Sequence, residues 1–127
     1  MKDRFDYHLQ VFQSFSSTLN AFLNQTPDHD EQSRQETADL LALTGSALEE
    51  RSEYLELGQR LLSRLVSHFP AFTPHIPREL LWFFGGDCLH YLADDEIEKF
   101  QLLEERYYEA GENADYSDLR AQAFGMH

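Results

Sequence analysis

The chain of 127 residues contains a single cysteine, Cys88. One cysteine cannot form an intrachain disulfide, and the paired-cysteine spacings of zinc sites are absent from the sequence. The fold therefore has to be held together by its core alone, and a free thiol of this kind suits a reducing compartment. Ten Phe, six Tyr and one Trp supply the large side chains that such a core needs.

Long apolar runs are also missing. The first ten residues, MKDRFDYHLQ, contain no apolar stretch of the kind found in a secretory signal. No later segment approaches the roughly 18 consecutive apolar residues that a membrane-spanning helix requires. We therefore expect a cytoplasmic protein that does not contact the membrane.

Basic residues are scarce, with 10 Lys and Arg against 23 Asp and Glu, which gives a formal net charge of −13. A field of this sign repels the backbones of nucleic acids and anionic lipids, so we expect neither as a partner. The simplest explanation of the charge is a solvated surface that keeps the protein dissolved. A basic protein partner, or mimicry of nucleic acid, is the alternative.

No segment alternates apolar and polar residues with the period of two that a half-buried strand requires. Apolar residues instead recur at steps of three and four over residues 3–24, 30–69 and 94–110, and a short last helix is predicted over 116–124. The sequence predicts an all-α protein. We expect residues 1–127 to form a single domain, an antiparallel bundle of about five helices.

Two features interrupt this pattern. The second and third helices are either continuous through Gly45, at a cost of about 1 kcal/mol relative to Ala, or separated there by a new helix that Ser46 and Glu49 cap. Three prolines within residues 70–77 then predict an ordered connector, because proline suits neither a helix interior nor a central strand. Phe72 and Ile76 are expected to anchor this connector on the core.

The central segment, residues 77–91, reads PRELLWFFGGDCLHY. Its five consecutive large apolar residues leave no helix face for water, which predicts a helix surrounded by others. The apolar spacing favours a helix that continues through Gly85 and Gly86, where a neighbouring helix approaches closely. A short helix that ends at this glycine pair is the alternative.

The segment directly after the glycine pair is a candidate metal site. On a continuous helix, Asp87 and His90 stand three residues apart and Asp94 follows His90 by four, so two carboxylates flank one imidazole. A di-iron bundle would require a second carboxylate and histidine pair, which the chain lacks. The structural alternative is that the carboxylates merely hold His90. Cys88 is expected to be an inert buried thiol, and the remaining histidines, His8 among them, are expected to be structural or exposed.

Residues 80–96, LLWFFGGDCLHYLADDE, resemble a small family of uncharacterised bacterial proteins of similar length, some of which carry an automatic dehydrogenase label. The resemblance is strongest over residues 61–100. It implies a small helical bundle without an established activity, and hence no functional residues to transfer. The dehydrogenase label conflicts with the sequence, which has no Gly-x-Gly-x-x-Gly motif and no alternation of strands and helices.

The sequence thus leads to two hypotheses of function. The first is a non-catalytic interaction module without a cofactor, in which Trp82, Phe83 and Phe84 contribute to self-association or to binding of a protein partner. A homodimer is expected, because five large apolar residues in succession are many for a bundle of this size to cover. The second is a bundle that binds a metal or small ligand in the region of Asp87, Cys88 and His90.

Overall fold

The structure is a computed structural model that describes residues 3–25, 30–111 and 115–124. Over these ranges it contains six α-helices, two 3-10 segments and no strand, so the all-α prediction is confirmed. The helices are α1 (Arg4–Asn24), α2 (Glu31–Ser46), α3 (Arg51–His68), α4 (Arg78–Phe84), α5 (Asp94–Ala110) and α6 (Tyr116–Ala123), and the 3-10 segments are Thr73–His75 and Gly86–Tyr91. None of the described helices has both the length and the apolar character needed to span a bilayer.

Three helices begin at an aspartate that caps them. The carboxylates of Asp3, Asp30 and Asp115 each accept a hydrogen bond from the backbone N–H three residues later, at 2.8, 3.2 and 3.2 Å. These bonds satisfy donors that the first helical turn leaves unpaired. Helices α3 and α4 begin without a hydrogen bond from a capping side chain. The backbone N–H groups in the first turn of α3 therefore have no capping side chain as a hydrogen-bond partner.

Helices α2 and α3 are separate, and the cap position of α3 is Glu50, four residues beyond the predicted Ser46. Helix α2 runs through Gly45 to Ser46, and α3 begins at Arg51. The Ser46 hydroxyl donates to the carbonyl of Ala42 at 2.9 Å, so it closes α2 and does not cap α3. Because the connection is short and the two helices pack side by side, they are antiparallel.

One hydrophobic cluster receives buried side chains from all six helices and from the connector. Phe72 and Ile76 are 1% and 3% exposed, which confirms that the proline-rich connector is anchored on the core. Aromatic rings and leucine side chains make up most of this cluster, and the rings meet mostly edge to face or tilted. The largest fully buried side chains include Leu19, Tyr54, Phe69, Phe72, Leu80, Phe100, Leu103 and Tyr116.

The prediction of a helix that continues through Gly85 and Gly86 is wrong. Helix α4 ends at Phe84, and both glycines have positive φ, +67° and +58°. Residues other than glycine rarely adopt the φ and ψ of Gly85, so the pair stops the helix. Gln59 of α3 stabilises this end, because its amide donates to the carbonyl of Phe84 at 2.7 Å.

The close approach of two helices that was predicted at the glycine pair occurs instead at Gly58 of α3. A Cβ atom at this position would overlap the ring of Phe84. Gly58 is buried, and its missing side chain is what lets Phe84 lie directly against the backbone of α3. The aromatic end of α4 is in this way fixed against α3.

Candidate ligand site

The predicted metal ligands do not converge. Asp87 and His90 lie on the exposed 3-10 segment after α4, and Asp94 is the exposed first residue of α5. Within residues 3–25, 30–111 and 115–124, no group of three or more His, Cys, Asp or Glu side chains is placed to hold a metal ion. The metal hypothesis therefore has no geometric support in the described chain.

Cys88 is on the same segment but points the other way. It is fully buried, and its Sγ lies 3.7 Å from the carbonyl oxygen of Gln59. Burial raises the pKa of the Cys88 thiol, which keeps the sulfur protonated and unreactive. The residue behaves as a small apolar side chain.

The three residues predicted to contact a partner belong largely to the interior. Phe83 and Phe84 are only 8% and 2% exposed. Trp82 is partly exposed, and its ring stacks on Phe100 with centroids 5.5 Å apart, while its indole N–H donates to Glu104 at 2.9 Å. The apolar run behind the homodimer prediction is thus covered mainly by the chain's own helices.

A cavity of about 440 Å³ opens where α1 and α3 begin, and we call it the arginine cavity. Its wall comes from four helices and the residue before α1. The lining residues are Asp3, Arg4 and Phe5 at the start of α1, Arg51 and Leu55 at the start of α3, Phe83 of α4 and Tyr107 of α5. Two cations, one carboxylate and three aromatic rings therefore border one space in a protein of net charge −13.

Three helices of the described chain begin with an arginine, namely Arg4, Arg51 and Arg78. A cation at the start of a helix faces the positive end of the helix dipole, which costs about 0.3–1 kcal/mol at an exposed position. Arg78 offsets this cost with a bidentate ion pair, because its Nε and Nη2 donate to the two carboxylate oxygens of Glu96 at 2.8 and 2.7 Å. The other two arginines both line the arginine cavity.

Arg4 is held by α5. Its Nε donates to Glu104 at 2.7 Å, and its backbone N–H donates to the hydroxyl of Tyr107 at 3.1 Å. The guanidinium carbon lies 4.9 Å from the centroid of the Phe83 ring, a cation–π contact. Arg4 is therefore fixed on the wall of the cavity with its charge already partly neutralised.

Arg51 differs from Arg4 because no carboxylate of the described chain forms a salt bridge with it. Its guanidinium carbon lies 4.2 Å from the centroid of the Phe5 ring, which orients the side chain without neutralising its charge. The nearby carboxylate of Asp3 is engaged as the cap of α1. Arg51 thus presents an unpaired positive charge at the arginine cavity.

His8 lies behind the aromatic wall of the cavity, fully buried and stacked on Phe83 with ring centroids 4.4 Å apart. Its Nδ1 is 2.7 Å from the carbonyl oxygen of Arg4, so Nδ1 carries the proton and donates. Burial lowers the pKa of His8 to about 4, which keeps the ring neutral at pH 7. The other ring nitrogen, Nε2, then has a free lone pair.

Nε2 of His8 has no hydrogen-bond partner among the described residues, and the same holds for the buried hydroxyls of Tyr54 and Tyr116. Each of these side chains packs against a ring that lines the cavity. His8 contacts Phe83, Tyr54 contacts Phe5, and Tyr116 contacts Tyr107, with centroids 4.4, 6.1 and 5.2 Å apart. Unpaired buried polar groups are rare in folded proteins. Three of the six found in the described residues lie behind this cavity, and the other three belong to Arg34, Thr73 and Arg120.

Reasoning from the sequence missed this site. Its charged residues are separated by 47 positions, from Arg4 to Arg51, and no short motif joins them. One usable signal was present at Arg4, which lies at the start of the predicted first helix and opposes its dipole. Arg51 gave no such signal, because the third helix was not predicted to begin there. His8 was expected to be structural or exposed, and it is buried.

Comparison with known proteins identifies a family. A family model described as PA2817-like matches residues 1–126, and the chain therefore belongs to the PA2817-like family. No curated protein and no solved structure matches the chain.

Proposed function

We propose that this PA2817-like protein binds a small organic anion in the arginine cavity and does so without catalysing a reaction. The observation that carries the proposal is Arg51, a cation at a helix start with no carboxylate partner in the described chain. A bound carboxylate or phosphate would supply the missing partner. Charge-assisted hydrogen bonds of this kind contribute about 1.5–3 kcal/mol each.

The helix starts around the cavity strengthen the attraction for an anion. Helices α1 and α3 both begin at its wall, and the positive ends of their dipoles lie there. The first turn of α3 has no side-chain cap, so its backbone donors are free for a ligand. A bound anion would reduce the unfavourable electrostatic energy of Arg4 and Arg51 at the positive ends of these helix dipoles.

The remaining walls favour a ligand with an apolar part. Phe5, Leu55, Phe83 and Tyr107 surround the two guanidinium groups. A volume of about 440 Å³ falls within the ~300–1,000 Å³ usual for small-molecule sites. Among the described residues that line the cavity there is no serine, cysteine or histidine, and the carboxylate of Asp3 is engaged as the cap of α1. We therefore propose binding and not turnover.

Binding is tested by calorimetry with phenylacetate and with its neutral analogue phenylacetamide. We expect phenylacetate to bind more tightly, because only the carboxylate can pair with Arg51. The variant Arg51→Gln should weaken phenylacetate binding by about tenfold or more, which corresponds to at least about 1.4 kcal/mol. The affinity of the wild-type protein should also fall with added salt.

Arg60→Gln is the matched control, because Arg60 is an exposed residue of the same helix and does not line the cavity. It changes the net charge by the same amount as Arg51→Gln and should leave phenylacetate binding unchanged. Equal affinity for the acid and the amide would contradict the proposal, as would equal losses in the two arginine variants.

Interaction with a protein partner is the second candidate, supported by the charge of −13 and by three exposed large hydrophobic side chains among the described residues. These are Leu43, Leu102 and Tyr108, on α2 and α5, with 57%, 38% and 88% exposure. A homodimer and a cytoplasmic location remain parts of this proposal. Light scattering at micromolar concentration tests the dimer, and a monomer would contradict it.

A further inference from the structure

A second depression shares the lining residue Tyr107 with the arginine cavity, and we call it the tyrosine groove. It has a volume of about 690 Å³, is open to solvent, and has a mostly apolar wall. Glu104, Glu105, Tyr107, Tyr108 and Gly111 line it. Because Tyr107 lines both spaces, the cationic cavity and the apolar groove share one wall.

The shared wall is held in place from both sides. The Tyr107 hydroxyl accepts from the backbone N–H of Arg4 at 3.1 Å, and its ring packs edge to face on Tyr116. Glu104, which borders the groove, is paired with Arg4 at 2.7 Å. A ligand held by the arginines would therefore meet a fixed aromatic edge that leads onto the groove.

The groove has the character of a site for an uncharged chain. Tyr108 is 88% exposed, the most exposed of the large hydrophobic side chains in the described ranges. An apolar tail lying on its ring would remove this area from water. The carboxylates of Glu104 and Glu105 would repel a second anionic group, so a ligand with charges at both ends is disfavoured.

We propose that the ligand is an amphipathic monoanion, whose acidic head binds at Arg51 in the arginine cavity and whose apolar tail crosses Tyr107 to lie in the tyrosine groove. This inference rests on the proposed function, because it assigns the head group to the same site. It adds the chemical class of the ligand, a carboxylic acid or similar acid with an extended apolar chain.

The test compares hexanoate and decanoate, which share a carboxylate and differ in chain length, by calorimetry below their aggregation concentrations. A fully buried methylene strengthens binding roughly fourfold. Because the groove is open, we expect decanoate to bind the wild-type protein about tenfold more tightly than hexanoate. Tyr108→Ser should reduce this ratio to about twofold or less, and Tyr108→Phe should preserve it.

Leu43→Ser is the matched control for loss of an exposed apolar side chain, because Leu43 lies on α2 away from both spaces. The ratio of decanoate to hexanoate affinity should be the same in Leu43→Ser as in the wild-type protein. The inference is overturned, with the proposed function intact, if Arg51→Gln weakens both acids but the wild-type protein binds the two acids equally. The same holds if the ratio of decanoate to hexanoate affinity is unchanged in Tyr108→Ser. If Arg51→Gln weakens neither acid, the proposed function and the inference fail together.

Discussion

Helix α4 lies between two regions that differ in how their polar residues are brought together. On one side, Phe83 forms a wall of the arginine cavity. On the other, Gly85 and Gly86 lead into an exposed segment that carries Asp87 and His90. The polar residues next to one another in the sequence do not assemble a site, whereas residues from four separate helices surround the cavity.

The difference shows why adjacency is a weak guide to a site. Asp87, Cys88 and His90 are neighbours, but the 3-10 segment turns Cys88 into the core and the other two toward solvent. Arg4 and Arg51 come together because each begins a helix that packs against the same core. The predictions below test this contrast in order of decreasing effect.

The largest effect is expected where α4 meets α3. Phe84→Ala should lower the free energy of unfolding by about 3–5 kcal/mol, because it leaves a cavity in the core. Gly58→Ala should cost about 1–3 kcal/mol, since the added methyl overlaps the Phe84 ring. Chemical denaturation measures both values.

The two substitutions should also be coupled. Once the ring is removed, the methyl group at position 58 has room, so the double variant should be no less stable than Phe84→Ala alone. Gly45→Ala is the control, because a Cβ atom there meets nothing within 4 Å. That variant should be neutral or more stable by up to about 1 kcal/mol. Additive losses at positions 58 and 84 would contradict the packing.

The next effect concerns pH and the histidine behind the cavity. The folded protein holds the pKa of His8 at about 4, below its ordinary value of 6.5, mainly through burial, and nearby Arg4 and Arg120 also lower it. The unfolded chain therefore binds a proton between these values that the folded chain does not. Stability from His8 is fully present above pH 6.5 and is lost as the pH falls toward 4. We expect a loss of about 2 kcal/mol between pH 6.5 and 4.5.

Urea denaturation at several pH values measures this loss, and His8→Phe should remove most of it. His90→Gln is the control, because His90 is exposed, and it should keep the wild-type pH dependence. Glu96 affects the stability only at lower pH. The hydrogen bond from Arg78 lowers the pKa of Glu96 from 4.5 to about 2, so the stabilisation from this ion pair is lost as the pH falls from 4.5 to 2. An unchanged pH dependence in His8→Phe would show that His8 is not buried as a neutral ring.

A smaller effect is expected at the glycine pair. Gly86 has a φ of +58°, which asparagine tolerates and β-branched residues do not. Gly86→Asn should cost about 1 kcal/mol, because its Cβ displaces the amide end of Gln59, 2.8 Å away, and weakens the hydrogen bond from that amide to the carbonyl of Phe84. Gly86→Val should cost more. Thermal melts compare the two variants, and an equal loss in both would contradict the left-handed turn.

The smallest effect is expected in the region first predicted as a metal site. His90→Ala should change the free energy of unfolding by no more than about 0.5 kcal/mol, as for most exposed positions. It should also leave phenylacetate binding intact, in contrast to Arg51→Gln. Loss of a bound metal in His90→Ala, measured by elemental analysis, would restore the metal hypothesis.

Several features of the fold followed from local patterns in the sequence. The stripe of apolar residues over 3–24 predicted α1, and the prolines after residue 69 predicted the connector, because both depend on chemistry within a few residues. Pro27 disfavours helix at the residue before it, so the sequence also predicts that the first helix ends there, but this position lies outside the described residues. The position of the break near Gly45 was less predictable, since glycine in a helix costs so little.

By itself, the sequence determined the all-α class, the anchored connector and the large negative charge, because periodicity, proline geometry and ionisation are local properties. Only the tertiary structure decided which glycine allows close packing, since Gly58 and Gly86 cannot be told apart without their neighbours. It also decided that Arg4 and Arg51 face one cavity. Which helix ends meet depends on how the six helices share one core, and that depends on contacts between residues far apart in the chain.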